Sequence, residues 1–278
     1  MADWNKILSR GNVEDRRSFK PAVMGGISLT GIALYLVMNY LSGGSIEGAL
    51  LEMGSTILQQ QTQQVQTQDT SEFVGEDPYE LFASTVLGSN NDFWMNKFAT
   101  MNKSFTNAKL VLFRQATESS CGVATSQVGP HYCSADNTIY LDETFFDEMT
   151  GRFGVQVGDV AQAYVIAHEV GHHVQNSLNK LDELAQSGDN ASSVKLELQA
   201  DCYAGVWAHS IKDLGVFEPG EIREAMDAAA AVGDDRIQEK VQGYANPETF
   251  THGTSEEREA WFTTGYNEGD FKTCDTFQ

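Results

Sequence analysis

Two histidines four residues apart with a glutamate between them, in the run His168-Glu169-Val170-Gly171-His172, are the residues of this chain best suited to chemistry. On a helix, positions i and i+4 share a face, so both imidazoles point the same way and hold one Zn2+ ion, with Glu169 beside it as general base. Two histidines do not complete a hydrolytic zinc shell, which takes three protein ligands and leaves the fourth position to water. The pattern H-E-x-x-H-x-x-G-x-x-H would supply the third ligand locally, but Gln175 and Leu178 stand where it needs glycine and histidine. Downstream, Glu197-Leu198-Gln199-Ala200-Asp201 places two carboxylates one helical turn apart. Glu197 is the expected third ligand and Asp201 the expected acceptor of a ligating histidine's outer N–H, with Asp201 also the rival ligand.

These residues need two helices to hold them. Asp159 reads as an N-cap with Gln162 as its capping-box partner, so the first helix is expected to begin at Val160. Val160, Tyr164, Ala167, Gly171, Val174 and Leu178 recur at steps of three and four, which predicts one buried stripe with His168 and His172 on its border. Gly171 lets a second backbone come close. The second helix is predicted over roughly residues 193 to 213, kept slim by Ala200, Ala204, Gly205 and Ala208.

H-E-x-x-H followed some 25 residues later by E-x-x-A-D resembles the glutamate zincins, the thermolysin-like group. Asn12 to Arg17, Cys121-Gly122, Tyr132-Cys133, Ile139 to Asp142, His168 to His173, Glu197 to Cys202 and His252 to Arg258 together resemble the bacterial putative neutral zinc metallopeptidase family, over nearly the whole chain. The resemblance implies a membrane-anchored zinc metalloendopeptidase, with an α+β, zincin-like domain that is mostly helical and carries a small sheet. His252-Gly253-Thr254-Ser255-Glu256-Glu257-Arg258 is similar to the H-P-x-x-x-x-R segment of membrane-linked zinc peptidases, with Gly253 in the place of proline. A donor there would stabilise an oxyanion, so His252 is a candidate catalytic residue beside a structural alternative, and Arg258 and Tyr266 either share that task or bridge helices. His131, His173 and His209 are expected to be structural. Asn137-Thr138-Ile139-Tyr140-Leu141 alternates around β-branched residues and predicts a strand. It is either an edge strand bordering the cleft, which a substrate would extend by backbone pairing, or an ordinary internal one.

The rest of the chain suggests where such a domain works. Ala22 to Leu41 holds no charged residue, and twenty helical residues reach roughly 30 Å, the thickness of a bilayer core. A transmembrane helix is therefore expected at 22–41, with a cleaved signal peptide or a weakly inserting hairpin as alternatives. Lys6, Arg10, Arg16, Arg17 and Lys20 outnumber Asp3, Glu14 and Asp15, which predicts a cytoplasmic segment 1–21 and a single-pass topology with the domain periplasmic or extracellular. Residues 42–77, with seven glutamines between Gln59 and Gln68, read as a tether, and 78–278 as one zinc metallopeptidase domain. Four cysteines, none in C-x-x-C spacing, suit two disulfides; of three pairings, Cys121 with Cys133 and Cys202 with Cys274 are favoured.

A formal net charge of −21 argues against a nucleic-acid partner and leaves a protein or peptide as the expected substrate. The spacing thus supports a zinc peptidase with Glu169 as general base. The competing readings are a structural-zinc envelope adaptor and a peptidase held latent by its own N-terminal segment.

Overall fold

A computed structural model describes residues 1–18, 77–153, 157–181 and 189–277. The expected membrane segment 22–41 and, apart from Asp77, the tether 42–77 lie outside the described residues. Among the described residues no helix is long and apolar enough to cross a membrane.

The fold is α+β and mostly helical, with small sheets. In chain order the strands are β1 (Asn12–Asp15), β2 (Lys109–Leu112), β3 (Ala116–Ser119), β4 (Gly122–Thr125), β5 (His131–Cys133) and β6 (Thr138–Leu141). The helices are α1 (Pro78–Thr100), α2 (Thr144–Glu148), α3 (Asp159–Ser177), α4 (Asn190–Ile211), α5 (Ile222–Ala231), α6 (Asp234–Gln242) and α7 (Ser255–Glu268). The larger sheet runs β1-β2-β6-β5, parallel except for the β5–β6 pair, and β3 and β4 form a separate hairpin. Leu110, Val111 and Leu112 of β2 and all four residues of β6 are buried, as two-sided burial in the middle of a sheet requires.

The strand predicted at 137–141 is therefore internal, and the edge expectation is corrected: the neighbour that forms the edge is β5. It is tied to the hairpin by the Cys121–Cys133 disulfide. The other favoured pair, Cys202–Cys274, also forms, joining α4 to the C-terminal turn Phe271–Cys274.

The first eighteen residues do not form a separate segment. Val13 is buried in β1, which pairs with β2 residue for residue from Asn12↔Lys109 to Asp15↔Leu112. Trp4 packs its ring edge-on against Phe82 and Phe217, and Arg17 pairs with Asp15, Asp77 and Glu143. The Met1 ammonium lies 2.6 Å from Glu221. These contacts join the first eighteen residues to the domain.

Helix α3 begins one residue earlier than predicted, with Gly158 at the N-cap. Asp159 is not the cap: its carboxylate accepts the indole N–H of Trp4 at 3.0 Å, so the N-terminal segment anchors the start of this helix. Helix α4 has a side-chain cap, Asp189, which accepts from the Ser192 amide at 2.7 Å. Helix α7 opens with a capping box between Thr254 and Glu257. Where α3 crosses α4, a Cβ on Gly171 would lie 2.9 Å from the Cα of Ala200, so the close approach predicted there exists and only glycine permits it.

Candidate metal centre

That crossing brings the two predicted motifs face to face. His168 and His172 come from α3 and Glu197 from α4, and one ligand atom from each lies within 4.8 Å of the others. Glu197 Oε2 is 3.2 Å from His168 Nε2 and Glu197 Oε1 is 3.4 Å from His172 Nε2. Two ligands at 2.0–2.1 Å from a tetrahedral ion stand about 3.3 Å apart, so the spacing fits zinc with nitrogen and oxygen donors.

The ligands are held from behind. Asp201, fully buried, accepts from His168 Nδ1 at 2.7 Å and from Tyr164 Oη at 2.5 Å. Arg258 donates to both of its oxygens, Nε to Oδ2 at 2.8 Å and Nη2 to Oδ1 at 3.0 Å. Asp201 thus sits behind His168, and Glu197 is the carboxylate that faces both imidazoles. Burial opposes a charged His168, but the carboxylates of Asp201 and Glu197 outweigh it and raise its pKa to about 10. The same contest, against Glu197, raises His172. Burial would push Glu197 up, and the two imidazoles instead hold it well below the usual carboxylate range. Arg258 and His168 do the same for Asp201 against its own burial. Nitrogen and carboxylate donors that attract cations this strongly suit a divalent metal.

The cluster lies on the wall of a cavity of about 560 Å³, which Glu169 also lines. On one side stand Gly129, Pro130, His131 and Tyr132, at and before the sheet edge β5; on another are Val165, Leu181, Leu196, Val232 and Ile237. The strand bordering the cleft is thus the one next to the predicted strand, too short at three residues to show a period of its own.

His252 reaches the cavity rim from the loop before α7. Its Nδ1 meets Asp234 Oδ1 at 3.2 Å and the Thr251 hydroxyl at 2.9 Å. Asp234 also accepts the backbone N–H groups of Thr251, His252 and Gly253, so one buried carboxylate shapes the whole loop. The sequence reading missed Asp234; its partners are main-chain groups 17 to 19 positions away, which leave no mark on residue spacing. Gly253 has φ +88°, a conformation closed to proline, which accounts for the departure from H-P-x-x-x-x-R.

The remaining histidines are held by neighbouring groups. His173 Nε2 donates to the Thr106 carbonyl at 2.6 Å, and its Nδ1 accepts from Tyr132 Oη at 2.8 Å. His131 donates to the Gly129 carbonyl and stacks on Tyr140; His209 donates to the Tyr266 carbonyl. Arg258 binds Asp201 and also lines the cavity, 3.9 Å from Glu197 Oε2, whereas Tyr266 stacks on Phe262 and is not among the lining residues.

The chain is 41% identical over 293 residues to the uncharacterized protein YpfJ of Escherichia coli K12, covering 99% of this chain and 98% of that one. It is 46% identical over 185 residues to the uncharacterized protein Rv2575 of Mycobacterium tuberculosis H37Rv, covering 62% of this chain and 63% of that one. No solved structure matches it significantly. The family model described as putative neutral zinc metallopeptidase matches residues 2–277, and the chain belongs to that family.

Proposed function

We propose that this protein is a zinc-dependent endopeptidase of zincin-like fold, with His168, His172 and Glu197 as metal ligands and Glu169 as general base. The observation that carries the reading is the meeting of two Nε2 atoms and a carboxylate from crossing helices, on the wall of a cavity that Glu169 shares. Zinc at that point supplies Lewis acidity, bringing the pKa of water to about 7 and polarising a carbonyl. Glu169 takes the proton that water gives up and returns it to the departing amine. His252 lines the same cavity with Nδ1–H given to Asp234 Oδ1, and in its imidazolium form it donates from Nε2 to the oxygen where negative charge collects. The edge strand β5 offers a substrate backbone its free hydrogen-bonding groups, and the apolar wall receives a side chain.

The alternative of a structural-zinc adaptor requires a fourth protein ligand. Asp201 is bound to His168, Tyr164 and Arg258, and among the described residues the cluster that could hold a metal comprises His168, His172 and Glu197 without His252, which favours the three-ligand reading. We place the domain outside the cytoplasm, on the support of its two disulfides. The test is metal analysis combined with cleavage of an unfolded protein such as casein. Wild type should bind one zinc per chain and cleave; Glu169→Gln should keep the zinc and lose cleavage by at least about 100-fold. Undiminished cleavage by Glu169→Gln would remove the role given to that residue.

A further inference from the structure

His168 is seated by a carboxylate, but His172 is seated by a series of buried amides that runs to the C-terminal tail. We propose that Gln175 is the positioning residue that makes His172 a metal ligand, and that the C-terminal turn, through Gln199, is part of the metal site. The proposal rests on the zinc reading above.

The direction of every hydrogen bond in the series follows from one fixed end. The Cys274 carbonyl only accepts, so Gln199 turns its Nε2 to it, at 2.7 Å. The Oε1 of Gln199 then faces Gln175, whose Nε2 donates to it at 3.3 Å and to the Leu196 carbonyl at 2.7 Å. Gln175 is left with Oε1 toward His172 Nδ1, at 2.9 Å, where only an N–H completes a bond. His172 therefore carries its hydrogen on Nδ1 and turns the Nε2 lone pair to the point where Glu197 stands. Asp201 gives His168 the same tautomer from the other side.

Burial gives this series its energetic weight. Gln175 and Gln199 are both shut off from solvent, and a buried amide without partners costs on the order of 1–3 kcal/mol. A neutral acceptor also orients His172 without adding a charge to a site that already holds Glu169 and Glu197. The tail is fixed in turn by the Cys202–Cys274 disulfide. Helix α4 thus carries a ligand (Glu197), both supporting groups (Gln199 and Asp201) and the anchor of the tail (Cys202) within six residues.

Gln175→Met and Gln175→Glu separate positioning from packing, because both disturb the contact with Gln199 and only glutamate keeps an acceptor for His172. Zinc affinity of the full chain, measured by chelator competition, and the absorption spectrum of its cobalt(II) form provide readouts that do not depend on activity. Gln175→Met should bind zinc about 10–100-fold more weakly and shift the cobalt spectrum. Gln175→Glu should hold zinc within about threefold of wild type although its thermal midpoint falls, since it loses the donor to Leu196. Equal affinities in the two variants, whether reduced or not, overturn the proposal. Wild type that binds no zinc sinks the metal reading and this proposal with it, whereas a binding wild type with an unaltered Gln175→Met sinks this one alone. If Gln175→Met fails to fold, the imidazole nitrogen resonances of zinc-loaded wild type decide: a hydrogen on His172 Nδ1 is expected, and one on Nε2 is the contrary result.

Discussion

Asp201 orients His168 and also neutralises Arg258 where neither has water. Removing one partner of such a buried pair strands the other charge, at about 3–5 kcal/mol, so Asp201→Ala should lower the thermal midpoint sharply and weaken zinc binding by about 10–100-fold. A loss of zinc affinity with unchanged stability would show that Arg258 finds another partner. The same carboxylates predict a pH dependence. With its pKa raised to about 10, His168 is protonated near neutrality before metal binds, and zinc must displace that proton. Affinity should therefore rise with pH between 6 and 8, roughly tenfold per unit for each proton displaced, in chelator competition at fixed ionic strength. A flat profile would mean that the metal-free site holds no such proton. At this scale the sequence was legible wherever one helix sets the spacing: His168 to His172 and Glu197 to Asp201 are i and i+4 pairs. Asp234 and the Gln199–Cys274 contact escaped because each joins groups that only the folded chain brings together.

The crossing of α3 and α4 sets the distance between the histidines and Glu197, and Gly171 sets the crossing. A methyl group there would press on the Ala200 backbone at 2.9 Å, so the helices must part by several tenths of an ångström. Gly171→Ala should destabilise the fold by about 1–3 kcal/mol and weaken zinc binding as well, because Glu197 travels with α4. Calorimetry with and without zinc measures both; a variant that loses stability but keeps its affinity would mean the ligands adjust independently of the helices. Helix α3 was legible because its apolar residues recur at steps of three and four from Val160 to Val174. The strand at 137–141 was legible as a strand but not as a neighbour. Its place between β2 and β5 depends on residues 109–112 and 131–133, and pairing order is not written in the alternation of any one strand.

Over the whole molecule, the strand pairing of the first eighteen residues bears on the expected single-pass topology. Lys6, Arg10, Arg16, Arg17 and Lys20 read as a cytoplasmic cluster by charge count, but a count does not reveal partners. Arg16 pairs with Glu14 and hydrogen-bonds Thr117, and Arg17 pairs with three carboxylates of the domain, so both serve the fold. A chain that crossed a bilayer once in all between residues 18 and 77 would pull β1 away from β2 and the Trp4 indole away from Asp159. Leu8 and Val241 are 88% and 78% exposed, on the N-terminal segment and on α6 respectively, and all four native cysteines are in disulfides. A single cysteine introduced as Leu8→Cys or as Val241→Cys is then the only free thiol for a membrane-impermeant maleimide applied to intact and to permeabilised cells. The two variants should label alike, both before permeabilisation if the domain is exported as its disulfides suggest. Labelling of Val241→Cys in intact cells with Leu8→Cys protected until permeabilisation would show that β1 is unpaired in the cell, and would restore the single crossing.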